Sequence, residues 1–221
     1  MISNHRGSTL IELLFSLSIL IIVLGSFYGL TAFLHRDYAN QGAFAESLQE
    51  SRAATSFFQN EIQNAGIDPT GKAFTGESYK GKVPTDCKKP PRIVVPIMEA
   101  SETVFHFTWD KDVNGDSVGK NEDIQYEWVG KGGTDSCKRK QSPYTLHRDT
   151  GGGQQEVALG IETFRLEYFD ENGKKLPSGL LGQTDRRKIR KVKLTLRPLI
   201  KDKSEERKRE WISEIYLKNI G

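Results

Sequence analysis

The chain has 221 residues, and 32 basic residues against 29 acidic ones give it a formal net charge of +3. That balance disfavours a dedicated nucleic-acid-binding protein, and the length suits one domain with an appendage or two small domains. The mean hydropathy of −0.53 conceals one segment, residues 13–34, that has no charged side chain. Because the remainder is hydrophilic and rich in Gly, Ser and Lys, the composition disfavours a uniform cytosolic enzyme.

Residues 13–34 are long enough to cross a membrane, because a helix that rises about 1.5 Å per residue covers roughly 33 Å over this length. A cleaved secretory signal fits less well, since its apolar stretch is usually about 7–15 residues and a small-x-small cleavage site follows closely. The nearest such triplet, Ala-Phe-Ala at 43–45, lies well past the apolar stretch. We therefore predict a single-pass membrane helix.

Glu12 stands at the entry to this helix. An acidic side chain costs about 2–3 kcal/mol at mid-membrane and less near the interface. Such a residue is expected to have a partner, and we predict that the helix itself offers none. The simplest explanation is that Arg6 snorkels close to Glu12.

The flanking residues 6–14, RGSTLIELL, resemble the processing site of type IV prepilins. In that family a membrane peptidase cuts after a glycine that ends a short basic leader, the new N-terminal residue is methylated, and the fifth mature residue is glutamate. The resemblance implies cleavage between Gly7 and Ser8, methylation of Ser8, and Glu12 as the fifth mature residue. The family usually has phenylalanine where Ser8 stands, so the motif departs from the pattern there.

Cleavage would give Glu12 a counter-charge. The resemblance implies that the α-amino group freed at Ser8 pairs with Glu12 of a neighbouring subunit. Two unit charges about 4 Å apart attract by roughly 4 kcal/mol at an effective dielectric constant near 20. The glutamate that is costly in one chain would then drive assembly.

Gly25 and Gly29 form a small-residue face on the same helix. Small residues four apart allow close helix–helix approach, which would serve assembly. Glycine is also ordinarily tolerated in membrane helices, and the sequence leaves both interpretations open.

Past residue 35 the pattern becomes amphipathic, with apolar or small residues at spacings of three and four. We predict one helix from about Thr9 to Ala65, ended by Gly66 and Pro69, whose second half lies against a sheet. The sustained heptads of a free-standing coiled coil are absent, and residues 57–66 resemble the end of this helix in minor pilins of the PilW-like group. The predicted stripe is Phe44, Leu48, Ser51, Thr55, Phe58, Ile62 and Ala65.

The C-terminal part begins with a stretch rich in Gly, Lys, Thr and Pro, residues 66–91, which predicts a long surface loop. Short alternating runs separated by turn residues follow, and they indicate half-buried antiparallel strands. A long N-terminal helix packed on an antiparallel β-sheet is an α+β fold, a type IV pilin-like roll, and the order of elements also resembles PilW-like minor pilins and J-type minor pseudopilins. The predicted strands are 92–98, 102–109, 123–129, 144–148, 161–169, 188–197 and 211–218.

These patterns and the resemblance predict four regions. The protein would sit in the inner membrane with its C-terminal domain in the periplasm, and would then enter a pilus at the cell surface. The regions are a prepilin leader (1–7), a hydrophobic transmembrane and assembly helix (8–34), its amphipathic continuation (35–65) and a periplasmic globular β-rich domain (66–221).

Residues 112–123, DVNGDSVGKNED, are the best candidate for a ligand site. Calcium loops place oxygen ligands at positions one, three, five and twelve and a backbone carbonyl at seven. The run resembles the calcium loop of dockerins, although position six is Ser117 rather than glycine and position twelve carries a short aspartate. The alternative is a metal-free Asn-Gly hairpin tip between two strands. The candidate calcium ligands are Asp112, Asn114, Asp116, Val118 (through its backbone carbonyl) and Asp123.

Cys87 and Cys137 would lie outside the cytoplasm in this orientation, and two cysteines in an oxidising compartment usually pair. A disulfide between them would close a loop of about fifty residues and contribute roughly 4 kcal/mol in the chain-entropy model. The alternative is two unpaired thiols. No histidine lies near either cysteine in sequence, so a catalytic cysteine lacks support.

The remaining motifs give weaker signals. Basic runs at 186–191 and 201–209 are explained by an exposed strand face and a solvated hairpin tip, so no nucleic acid is expected as a partner. The glycines at 151–153 lack the Lys-Ser/Thr of a phosphate loop, the four histidines lack metal-ligand spacing, and no catalytic Ser/His/Asp pattern emerges. We predict a protein that is not an enzyme and requires no cofactor, with calcium as the one candidate ligand.

The residues thus identify the chain as similar to the type IV pilin and pseudopilin superfamily, and in particular to PilW-like minor pilins. The resemblance implies a minor pilin that primes assembly of a type IV pilus and sits in or under its tip. Its implied partners are prepilin peptidase, other minor pilins, the major pilin and the inner-membrane assembly platform. Two alternatives remain: a J-type minor pseudopilin of a type II secretion system, and a membrane-anchored periplasmic binding protein.

Overall fold

The computed structural model describes residues 9–74, 94–117, 121–151, 153–199 and 210–220, apart from four side chains of the first helix, at positions 40, 43, 44 and 47. The chain divides into two compact units, residues 1–46 and 47–221. Helix α1, Leu10–Ile62, begins in the first unit and ends in the second. The predicted leader, most of the predicted 66–91 loop and the basic run 201–209 lie outside the described residues.

The helix of the first unit exposes its apolar side chains. Its Leu10–Ala39 portion is long and apolar enough to cross a membrane, and it is the one such segment in the described part of the chain. The hydroxyls of Ser16, Ser18 and Ser26 each donate to the backbone carbonyl four residues earlier. These hydroxyls need no water, which suits a helix surrounded by lipid or by other helices.

In the second unit the last part of α1 buries one face. Ser51, Phe58 and Ile62 of the predicted stripe are buried, whereas Thr55 is half-buried and its neighbour Ala54, which the stripe did not include, is buried in its place. The turn that follows ends at Gly66, which has a φ of 76° and donates its N–H to the Thr108 carbonyl at 2.9 Å. A Cβ at Gly66 would lie 2.8 Å from the Asn219 carbonyl oxygen, so the conformation and the close approach both favour glycine.

The predicted α+β class, a long N-terminal helix with antiparallel strands, is confirmed. The eight described strands form two antiparallel sheets, one of five strands in the order β1 to β5 and one of three strands in the order β6 to β8. A short helix α2, Gln183–Arg186, precedes β7. The strands are β1 Ile97–Ala100, β2 Val104–Thr108, β3 Asp123–Val129, β4 Thr145–Asp149, β5 Gln154–Ala158, β6 Ile161–Phe169, β7 Lys191–Pro198 and β8 Trp211–Tyr216.

Both sheets and the end of α1 share one hydrophobic core. The Phe58 ring of α1 meets Tyr126 of β3 edge-on at 4.9 Å between centroids and Phe164 of β6 at 5.7 Å. Phe105 of β2 stacks on Tyr168 of β6 at 5.9 Å, which joins the two sheets directly. The Phe58 side chain of α1 therefore completes the hydrophobic core between the two sheets.

Candidate functional site

Glu12 occupies the first turn of α1 and caps it. Its Oε2 accepts the backbone N–H of Thr9 at 3.0 Å, while the Thr9 carbonyl accepts the N–H of Glu12 at 3.0 Å. Thr9 precedes the helix, so Thr-x-x-Glu has the spacing of a capping box, in which the glutamate satisfies an orphan donor of the helix start. The expectation that the helix offers Glu12 no partner was therefore wrong, and the capping pattern in the sequence was the signal that could have shown it.

The predicted cleavage site, Gly7 and Ser8, lies outside the described residues, so the intersubunit pairing of Glu12 stays a prediction. Gly25 and Gly29 lie on the described helix, and a Cβ added at either would meet no described atom within 4 Å. Their face is open in a single chain. This is compatible with both interpretations of the glycines.

A second charged group joins α1 to the five-stranded sheet, and sequence reasoning missed it. Glu61, in the last turn of α1, receives two hydrogen bonds from the Arg148 guanidinium of β4, from Nε at 2.8 Å and from Nη2 at 2.7 Å. The Tyr126 hydroxyl of β3 donates to the same carboxylate. Both side chains of the ion pair are largely buried, at 12% and 19% exposure. Paired forks of this kind are among the stronger protein hydrogen bonds.

The pKa values in this cluster follow from its geometry. Burial and the Glu61 charge raise the pKa of Tyr126 far above its ordinary value, so the phenol stays a donor. Burial lowers the pKa of Arg148, but its hydrogen bonds and charge pairing with Glu61 outweigh burial and raise it. The end of α1 is thus held against β3 and β4 by a charge-assisted clamp, Glu61–Arg148–Tyr126.

The loop between β2 and β3 brings three carboxylates together. One oxygen each from Asp110, Asp112 and Glu122 lies within 4.8 Å of the others. Of these three, Asp112 alone belongs to the predicted ligand set. Sequence reasoning missed the other two because Asp110 precedes the twelve-residue pattern and Glu122 stands at its eleventh position, which supplies no ligand in a calcium loop. Oxygen donors in such a group are what Ca²⁺ prefers.

The other predicted calcium ligands lie elsewhere or are engaged. Asn114 donates through Nδ2 to Asp112 at 3.3 Å, and its Oδ1 accepts the Asp116 N–H at 2.8 Å. Asp123 lies in β3, where its carboxylate contacts Nε2 of His106 on β2. Val118 lies outside the described residues. The loop joins two paired strands as a hairpin, and calcium binding is left as a proposal.

Cys87 lies outside the described residues, so its pairing with Cys137 stays a prediction. Cys137 is held by Asp135, whose Oδ1 accepts the N–H groups of Cys137 at 2.9 Å and Arg139 at 2.8 Å. Burial alone would raise the pKa of Asp135, but the hydrogen bonds and charge of Arg139 hold it below its ordinary value. The carboxylate of Asp135 therefore holds the backbone of the described loop around Cys137.

The basic residues 186–191 are partly engaged within the fold. Lys188 pairs with Asp185 at 2.9 Å, Lys191 pairs with Glu214 at 3.2 Å, and Arg190 donates to backbone carbonyls. The prediction that this run is one exposed strand face was wrong for most of it, because Arg186 ends α2, residues 187–190 form a turn and connection with Ile189 buried, and β7 begins only at Lys191.

Residues 2–28 match the prokaryotic N-terminal methylation motif. The match includes Gly7, Ser8 and Glu12 and the start of the exposed helix, and it supports a type IV pilin or pseudopilin. Such a motif implies processing by prepilin peptidase, partners in a pilus or pseudopilus, and a structural rather than enzymatic protein. The apolar helix, the one candidate membrane span in the described residues, fits membrane anchoring with a soluble C-terminal domain. No curated protein is significantly similar to the chain.

Proposed function

We propose that the chain is a minor pilin of the PilW-like group that helps to prime assembly of a type IV pilus and sits in or under its tip. The methylation motif at residues 2–28, which runs into an exposed apolar helix, is the observation that carries this proposal. The α+β unit that follows supports it, because its helix and antiparallel strands suit the pilin class. In this proposal the domain is periplasmic before assembly and exposed on the pilus afterwards.

Glu12 has the central role in the proposal. Among the described residues it receives one neutral donor, the Thr9 amide. The methylated amine of Ser8 from a neighbouring subunit would add a full positive charge, and charge-assisted hydrogen bonds are about twice as strong as neutral ones. The open face at Gly25 and Gly29 gives the neighbouring helix room to approach.

Processing is tested by expressing the full chain with and without prepilin peptidase. We expect the peptidase to remove seven residues and leave methylated Ser8 at the N-terminus, as measured by intact mass and N-terminal sequencing. Gly7→Val should block this shortening, whereas Gly29→Val, a matched change outside the motif, should leave it intact. A mature chain that still begins with Met1 would overturn the proposal.

Genetic deletion separates the pilus from its nearest alternatives. Loss of surface pili with normal protein secretion supports the minor pilin, whereas retained pili with blocked secretion would indicate the J-type pseudopilin. A membrane-anchored binding protein would affect neither process and would not be shortened by the peptidase.

The proposed domain also carries the Cys87–Cys137 disulfide. A disulfide that closes a loop of about fifty residues contributes roughly 4 kcal/mol to stability in the chain-entropy model. The hydrogen bonds that Asp135 accepts from Cys137 and Arg139 hold Cys137 in position for such a bond. Non-reducing peptide mapping of the periplasmic protein should join the two cysteine peptides. Separate peptides carrying alkylated thiols would contradict the pairing.

Calcium binding by the β2–β3 loop is the remaining proposal. The convergence of one oxygen each from Asp110, Asp112 and Glu122 within 4.8 Å supports it, because Ca²⁺ is bound by several carboxylate oxygens, although these carboxylates also accept backbone N–H groups of the loop. Asp112 is common to this cluster and to the sequence pattern, so it is the residue on which a test should centre.

A further inference from the structure

One face of the five-stranded sheet is polar and yet buried. An antiparallel sheet usually packs one face on the core and leaves the polar face in water. Here Phe105, Ile124 and Leu146 lie on the core face, while polar residues of the opposite face are also excluded from solvent. Those residues, each 2–3% exposed, are His106, Gln125, Glu127, His147 and Asp149.

The connection between β3 and β4, residues 130–144, contacts this polar face, and we call it the cover loop. The Ser136 N–H donates to Oε1 of Glu127 on β3. Gln141 donates to Gln154 of β5 at 2.9 Å, and Gln154 donates in turn to Oε2 of Glu127 at 3.1 Å. Among the described contacts, Glu127 is therefore one group through which the cover loop is attached, beside the Gln141–Gln154 bond and the N–H of Ile161, which donates to the Tyr144 carbonyl at 2.8 Å.

His147 lies opposite Glu127 in the β3–β4 register and opposite Glu156 in the β4–β5 register. It is 2% exposed, and neither ring nitrogen has a hydrogen-bond partner in the described part of the chain. A neutral imidazole has one N–H and one acceptor nitrogen, so both are left unsatisfied. Buried polar groups are rarely left in this state.

Charged groups lie near this histidine on its own strand, on both neighbouring strands and in the cover loop. Burial lowers the pKa of His147, and Arg139 acts in the same direction, while Glu156, Glu127 and Asp135 oppose them; the balance is a lowered pKa. The groups facing His147 are Glu127 on β3, Glu156 on β5, Asp149 on its own strand, and Asp135 and Arg139 in the cover loop.

We propose that the cover loop is a proton-operated flap: uptake of a proton by His147 makes the imidazolium compete for Glu127, frees the Ser136 amide, and opens the loop away from the acidic strand face. His147 is neutral while the loop is closed. Once the loop opens, water reaches the ring and its pKa returns to about 6.5. Because protons bind better to the open form, falling pH through this range favours opening.

Hydrogen–deuterium exchange of the full chain in detergent micelles tests the flap. Exchange in residues 130–144, corrected for the intrinsic pH dependence of amides, should be up to about tenfold faster at pH 5.5 than at pH 7.5, the linkage limit for an open-form pKa near 6.5. The imidazole resonance of His147, followed by NMR, should titrate below 6.5. A rate in this segment that does not change with pH would overturn the proposal.

Variants assign the effect to this histidine. In His147→Gln and His147→Leu, the ratio of the exchange rate at pH 5.5 to that at pH 7.5 should be close to one. His147→Leu should also lower the exchange rate at both pH values, because leucine leaves no buried donor unsatisfied. His106→Gln, a matched change on the same face, should retain the pH response. If His106→Gln removes the response, or either His147 variant keeps it, the flap does not depend on His147. Should both His147 variants fail to fold, the NMR titration and wild-type exchange decide by themselves.

Discussion

The two units treat apolar surface and polar groups in opposite ways. In the first unit, large apolar side chains are exposed, and among its described residues Glu12 and the hydroxyls of Ser16, Ser18 and Ser26 bond to backbone groups a few residues away. In the second unit apolar side chains from the helix and both sheets form a buried core, and polar groups join elements far apart in sequence, as Glu61 and Arg148 do across 87 residues. The first unit therefore needs lipid or other helices around it, whereas the second supplies its own core.

The strongest test of this contrast changes Glu12. Glu12→Ala should leave peptidase cleavage largely intact and abolish incorporation into filaments, because the helix then offers no charge to a neighbouring amine. Glu12→Gln keeps an acceptor for the Thr9 amide, since glutamine also serves in a capping box, but removes the charge. Immunoblots of sheared filaments measure incorporation of each variant.

Glu12→Gln separates the two roles of this residue. If pairing between subunits matters, the Gln variant should be excluded from filaments as fully as the Ala variant. Normal incorporation of Glu12→Gln would show that Glu12 serves as a helix cap alone, and the pairing proposal would fail.

In the second unit the largest loss of stability is expected from a substitution of Phe58. Its ring fills the space between Tyr126 and Phe164 and is fully buried, so Phe58→Ala should lower the free energy of unfolding by about 3–5 kcal/mol. Phe57→Ala is the matched control, because Phe57 is 45% exposed on the neighbouring position of the helix. Its loss should stay within about 1 kcal/mol. Denaturant unfolding of the full chain in detergent, followed by tryptophan fluorescence, compares the two.

Local patterns in the sequence account for much of this fold. The alternation at 123–129 and 161–169 predicted β3 and β6 with their observed bounds, and the three-four spacing that includes Phe58 and Ile62 predicted the buried face of α1. Strand β5 was missed because its first three residues are polar and largely outside the core, so it pairs through its backbone without an apolar alternation. The existence of two sheets depends on strand partners, which no single segment encodes.

The candidate sites were predictable only where their residues are close in sequence. Glu12 was found from a short motif, and Asp112 from a loop pattern. Asp110 and Glu122 join Asp112 only when β2 pairs with β3. The clamp between Glu61 and Arg148 requires the helix to dock on the sheet, and each residue alone reads as an ordinary surface charge.

Breaking the Glu61–Arg148 ion pair should lower the free energy of unfolding by less than Phe58→Ala does. Glu61→Gln leaves the largely buried Arg148 without its counter-charge, and we expect a loss of about 2–3 kcal/mol, below the range for fully buried pairs because both groups retain some solvent contact. Urea unfolding of the full chain in detergent measures it. Glu167→Gln is the control, since Glu167 pairs with the more exposed Lys175 and Lys193 and should cost no more than about 1 kcal/mol.

A double-mutant cycle sharpens the same comparison. Combined with Arg148→Met, Glu61→Gln should cost much less than it does alone, because no unpaired guanidinium remains. Equal costs in both backgrounds would mean that the two side chains are neighbours without energetic coupling.

The smallest expected change in stability comes from calcium binding to the β2–β3 loop. If its carboxylates bind Ca²⁺, a tenfold excess of calcium over the dissociation constant should stabilise the protein by about 1.4 kcal/mol, or roughly 3–6 °C in the melting temperature of the full chain in detergent. Asp112→Asn should abolish this rise, and Asp116→Ala should abolish it only if the sequence pattern describes the ligands. Asp170→Asn is a matched control, because Asp170 accepts backbone N–H groups in another turn and should leave the calcium response unchanged. A melting temperature that responds to neither calcium nor chelator would make the loop a hairpin tip whose carboxylates only bind its own backbone.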